Sequence, residues 1–402
     1  MAEGNGASDK RIRLLPRSSP DYTPIAAAER ERIATGRIDK PFGEGMLDGL
    51  NLLKESPDDP RTEMFGGNTP EQKRRNFITV WRVLLDGMHR QKSSKSWAEN
   101  FFYEMATSPD IKDMPDNYVF SWNRSPDDFY SNFSTISFDS FEWMIERHVQ
   151  NFYQAKEKVA EQLPELTNDF NSKLRRLSRE LEFSLPDDFD KRIKDIDVAL
   201  VDPLSNIKMW EHDGLYHPAA RAVWVPYSWY GMDNLVITPS LFHEFVHHGA
   251  GSMSLILNDE VLDLKEGVAI PHQKTDKLSF EWMDEAITQD LTIAMYEGEF
   301  VHGGYSENME LLNMLIGKGK EVVPSNLFYS SYFEDYDPKR NAQNQFPHGR
   351  ALRERIGRAY VPGFLSMVDR YVRDHGLPET IEQMNHDWRR IPPKFGMDAK
   401  AA

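Results

Sequence analysis

His243-Glu244-Phe245-Val246-His247 sets two imidazoles four residues apart, with a glutamate directly after the first. On an α-helix that spacing puts both imidazoles on one face, one turn apart, where they can share a metal ion. Glu244 then leans over the open side of such an ion, where a carboxylate can take a proton from water. The flanks read as a buried helix with a polar stripe. Leu241, Phe242, Phe245 and Val246 are apolar, and Thr238-Pro239 offers an N-cap and a first-turn proline. Gly249 and Gly251 would end or bend the helix just past the second histidine. The competing reading is a buried helix whose histidines only hydrogen-bond.

The chain contains no cysteine, which excludes disulfides and thiolate metal sites. Any metal must therefore be held by His, Asp or Glu. A catalytic zinc site takes three protein ligands and keeps one position open. The metzincin pattern would require Gly at 250 and His at 253, but Ala250 and Met253 stand there. A glutamate from a later element is the other solution, and two compete. Glu266 lies nineteen residues after His247 and is followed within five residues by Pro271, so its helix would be short. Glu285 lies thirty-eight residues after His247, among Phe280, Met283, Ile287, Leu291, Ala294 and Met295. That apolar spacing predicts a sustained amphipathic helix, a rigid platform of the kind a metal ligand requires. Glu285 is favoured, and Glu266 stays open. Asp284 or Asp290 could orient a ligand imidazole, and His248 points about 100° away from His247 around the helix.

The 402 residues suffice for one large or two ordinary domains, and 40% hydrophobic residues with nine tryptophans support substantial cores. A net charge of −16 argues against nucleic acid as a partner. No run of eighteen apolar residues predicts a membrane span, and the polar N-terminus lacks a signal-peptide core. The expectation is a cytoplasmic protein, with unconventional export left open. Residues 1–60 read as a flexible arm, 61–190 as a helical region of unknown role, and 191–402 as the domain carrying the histidine motif. Within the helical region, Thr69-Pro70-Glu71-Gln72 marks a helix start. Pro164 is expected to kink or break a later helix, and His148 to be a satisfied core histidine. Val198–Val201 and Ala222–Val225 read as strands.

The motif at His243–His247, followed by Trp282-Met283-Asp284-Glu285-Ala286, resembles the gluzincin group of metallopeptidases. The resemblance covers about residues 196–375. It implies a zincin-like, mostly helical α+β fold with a small mixed sheet and an active-site helix. The strand before that helix would be an edge strand that binds extended substrate. His243, His247 and Glu285 would hold Zn2+, Glu244 would be the general base, and the substrate would be a peptide or protein, cleaved as by an endopeptidase. Phe346-Pro347-His348-Gly349 is loosely similar to a later family segment, but Phe346 stands where the family carries a tyrosine that supports the oxyanion. His348, Tyr329, Tyr332 and Tyr336 are the substitutes within reach in sequence. The Glu266 spacing is more similar to that of aminopeptidase N relatives. The alternative expectation is a weak or inactive zincin-like domain serving as a protein-binding module.

Overall fold

The computed structural model of the protein describes residues 13–16, 27–28, 31, 40–90, 138–202, 214–218, 220–227, 239–257, 260–271, 278–296, 305–317, 323–337, 339–340 and 345–386. The described part opens with strand β1 (Arg13–Pro16) and helix α1 (Phe42–Glu55). Both lie in the stretch expected to be a flexible arm. Met46, Leu50 and Leu53 of α1 are fully buried, which offsets the entropy cost of ordering it. A 3-10 turn (Pro60–Phe65) leads to α2 (Pro70–Arg90). The start of α2 is the expected one: the Gln72 amide donates to Thr69 Oγ1 at 3.3 Å, and Gln72 Oε1 accepts from the Asn68 amide at 2.7 Å.

Helix α3 (Phe138–Glu180) runs unbroken through Pro164, where the sequence predicts a kink or a break. An interior proline costs about 3 kcal/mol. Buried apolar residues on both sides of it, among them Phe152, Leu166, Phe170 and Leu174, each contribute about 1.5–3 kcal/mol, enough to keep the helix continuous. His148, on the first half of α3, is the buried core histidine expected, bonded through one ring nitrogen. Its Nε2 lies 2.6 Å from Asp202 Oδ2, with both residues about 1% exposed.

A short helix, α4 (Phe189–Lys194), precedes a mixed sheet of β2 (Asp197–Val201), β3 (Leu215–His217) and β4 (Ala222–Pro226). Its order is β2-β4-β3, with β2 parallel and β3 antiparallel to β4. β4, the strand before the histidine helix, is therefore central; the edge on that side is β3. The histidine helix is α5 (Pro239–Gly249), starting at the expected proline and ending at the expected glycine. β5 (Ser252–Leu257) and β6 (Glu260–Glu266) follow as an antiparallel pair, with β1 on the far side of β5. β7 (Ile270–Pro271) pairs with β8 (Leu278–Ser279) ahead of α6 (Glu281–Met295). The rest is helical: α7 (Ser306–Ile316), α8 (Ser325–Tyr332), α9 (Pro347–Ala359), α10 (Phe364–His375) and α11 (Leu377–Asn385).

The chain is thus mostly helical with small sheets, an α+β arrangement. No described helix is long and apolar enough to cross a membrane. The main core forms around α5. Leu241, Phe242, Phe245 and Val246 pack with α3 from Leu166 onward, with α6, and with the C-terminal helices. Phe170 of α3 meets Phe242 and Phe245 edge to face at 5.3 and 5.4 Å. The helical region before residue 190 therefore helps hold the histidine helix in place.

Candidate metal centre

α5 buries a polar stripe as well as its apolar face: His243, Glu244, His247 and His248 are all buried. An unsatisfied polar group in that setting costs about 1–3 kcal/mol, so each needs a partner. The two motif histidines find theirs on α6. Their Nε2 atoms stand 3.2 Å apart, and Glu285 Oε2 lies 3.1 Å from His243 Nε2 and 3.5 Å from His247 Nε2. These three residues form a group able to hold a metal ion. Ligands about 2.0–2.1 Å from a tetrahedral ion stand about 3.3 Å from one another. The observed triangle has that size, so the donor set fits such an ion.

The far side of each imidazole is fixed by hydrogen bonds. His243 Nδ1–H donates to Gln289 Oε1 at 3.1 Å. His247 Nδ1 lies 3.2 Å from Asp284 Oδ2 and 3.2 Å from the Tyr332 hydroxyl. Thr288 donates its own proton to the Asp284 carbonyl, so Tyr332 donates to Thr288 at 2.8 Å, and its oxygen accepts from His247. With Nδ1 the donor to these partners on both rings, both Nε2 atoms are left facing Glu285. Such outer partners set the tautomer and orientation of a metal-binding histidine.

Asp284 is itself held. Its Oδ1 accepts from the Val268 amide at 2.7 Å and the Ala269 amide at 3.3 Å. This turn requires Gly267: its φ is +54°, and a Cβ there would sit 2.1 Å from Asp284 Oδ1. Gly214, at the start of edge strand β3, has a similar role beside Glu244. A Cβ at 214 would come within 2.8 Å of the Glu244 Cγ and 3.1 Å of its Oε1. The backbone entering β3 therefore passes directly against Glu244.

Electrostatics follow the same geometry. Burial disfavours charge on His247, but the Glu285 carboxylate, helped by Asp284, holds its pKa well above the usual histidine range. Burial likewise works against the Glu285 carboxylate, and His247 and His243 overcome it, holding its pKa far below the usual range.

The expected residues divide clearly. His243, His247 and Glu285 come together, with Glu244 beside them on α5. Glu266 ends strand β6 and is not on a helix; its side chain lies outside the described residues. Asp284 orients His247, whereas Asp290 bonds the Tyr329 hydroxyl, and His248 turns its Nε2 to the Arg192 carbonyl at 2.9 Å. Tyr329 is thus engaged by Asp290, Tyr332 is engaged behind the His247 ring, and Tyr336 packs near Phe346 at 6.3 Å. His348 opens α9, where its amide donates to Glu334 Oε1 at 2.8 Å; no described contact joins its ring to the metal-facing group. Gln289, Gly214 and Tyr305 are additions that sequence reasoning missed. The Tyr305 ring lies parallel to that of His243, 5.0 Å between centroids. Gln289 had a signal, because it repeats on α6 the four-residue spacing of His243 and His247 when counted from Glu285.

No known protein family, curated protein or solved structure matches this chain.

Proposed function

We propose that the protein is a zinc-dependent peptidase of the gluzincin type with a zincin-like fold. The observation that carries this reading is the convergence of His243 Nε2, His247 Nε2 and Glu285 Oε2 with 3.1–3.5 Å separations, next to Glu244 on the same helix as the histidines. Two imidazoles and one carboxylate, without thiolates, are the donor set of a catalytic zinc site with one position open. When bound there, zinc supplies Lewis-acid polarisation of a carbonyl and lowers the pKa of water toward about 7.

The chain's own residues supply the rest. Glu244 accepts the proton of the attacking water and passes it to the leaving amine. Its buried position against Gly214 limits how far the carboxylate can swing. An extended peptide runs beside β3, the outer strand among the described residues, whose entry at Gly214 passes against Glu244. Tyr305, whose ring lies parallel to that of His243, is the side chain to test as a donor to the developing oxyanion. Gln289, Asp284 and Tyr332 keep the two imidazoles aimed, so little reorganisation is needed during the reaction.

The second reading, a zincin-like module that binds protein without cleaving it, rests on Phe346. Its ring lies under Lys265 at 5.1 Å and has no hydrogen to donate. Incubation of the zinc-loaded protein with a mixed peptide library separates the two. Cleavage that a chelator abolishes and zinc restores supports the peptidase. Stoichiometric zinc without cleavage of any peptide contradicts it and favours the binding module.

A further inference from the structure

A cavity of about 230 Å³ lies between β5, β6, α6, α8 and α9. None of the three metal-facing residues lines it. Its walls are apolar: Met253, Val268, Met283, Phe346, Leu352 and Leu365. The volume falls below the roughly 300 Å³ at which ordinary ligand pockets begin, so its occupant is small.

Two of its lining residues are cationic, Lys265 and Arg353. Lys265, on β6, is 9% exposed and donates to the Glu334 carbonyl at 2.8 Å, which uses one of its three N–H groups. Its ammonium sits 5.1 Å over the Phe346 ring. Burial lowers the pKa of this lysine to about 8, with Asp335, Glu334 and Asp284 pulling the other way. Arg353, at the exposed side, lines the same cavity and has no ion-pair partner among the described residues. It approaches Gly349, as does the Ser331 hydroxyl; a Cβ at 349 would lie 3.6 Å from the Arg353 guanidinium and 3.3 Å from Ser331 Oγ. Glu334 adjoins Lys265 and Gly349. Its two carboxylate oxygens are occupied by the amides of His348 and Gly349 at 2.8 and 2.9 Å, in the first turn of α9, where the helix dipole favours negative charge. In a chain of net charge −16, two cations with open donors beside an apolar hollow are the distinctive feature.

We infer that this cavity binds a small apolar carboxylic acid as its anion, with the hydrocarbon among Met253, Met283 and Leu365 and the carboxylate on Lys265 and Arg353. The site is separate from the metal centre and does not depend on the peptidase reading.

Titration calorimetry of the full chain with sodium hexanoate, and with hexan-1-ol as the neutral control, tests it. Saturable one-to-one binding of hexanoate is expected, with hexan-1-ol weaker by about tenfold or more, the worth of a charge-assisted hydrogen bond. Lys265→Met should weaken hexanoate by a similar factor, and Glu244→Gln should leave it unchanged. If Lys265→Met does not fold, Arg353→Gln at the exposed position provides the same comparison, with a several-fold loss expected. Absence of saturable hexanoate binding, equal binding of hexan-1-ol, or undiminished binding by the folded lysine or arginine variant would overturn the inference.

Discussion

Among the described residues, two buried histidine–carboxylate groups differ in arrangement: one is a single pair, the other converges on a point where a ligand could sit. In the first, His148 of α3 meets Asp202 at 2.6 Å, near Phe152 and the Tyr227 ring at 5.5 Å. One imidazole takes one carboxylate in an aromatic setting, so the pair ties α3 to the end of β2. In the second, two imidazoles and Glu285 aim three donor atoms at one point, while Gln289, Asp284 and Tyr332 hold the rings from behind. Burial of histidine is common to both. What differs is the convergence of three ligand atoms, together with hydrogen bonds on the opposite ring nitrogen.

That contrast can be broken by paired variants. Glu285→Ala is expected to abolish stoichiometric zinc binding while the chain stays folded, as read by metal analysis and circular dichroism. Glu266→Ala should retain zinc; the reverse pattern would move the third ligand to Glu266. Asp284→Asn keeps the side chain's size but weakens the support of His247, and should lower zinc affinity about 10–100-fold in a chelator-competition titration. An unchanged affinity would mean that Asp284 serves only the Val268–Ala269 turn. Asp202→Asn should leave zinc affinity alone and cost about 1–3 kcal/mol in urea unfolding, because a buried hydrogen-bond partner is weakened. Loss of zinc in Asp202→Asn would erase the distinction between the two groups.

Much of the metal-facing side is legible in the chain. The four-residue spacing and apolar flanks of α5 follow from helical periodicity, and Pro239 and Gly249 bound it as read. Glu285 is the better choice because its neighbours make a long, buried helix, whereas Glu266 closes a strand. The supports are less legible. Tyr332 reaches His247 across 85 residues of sequence, and no local pattern announces such a contact. Gly214 acts through space against Glu244, from a strand too short to show its own periodicity. At Pro164 local propensity predicts a kink or a break; the helix continues through it, and burial on both sides outweighs the cost of the lost hydrogen bond.

Glu244, as a base that binds no metal itself, is the centre of the proposed chemistry. The direct measurement is zinc content and peptide hydrolysis of Glu244→Gln, made side by side with the unaltered protein. One zinc per chain is expected in both, with hydrolysis reduced about 10²–10⁴-fold in the variant, the usual contribution of a general base. One zinc per chain with undiminished hydrolysis in Glu244→Gln would contradict that role.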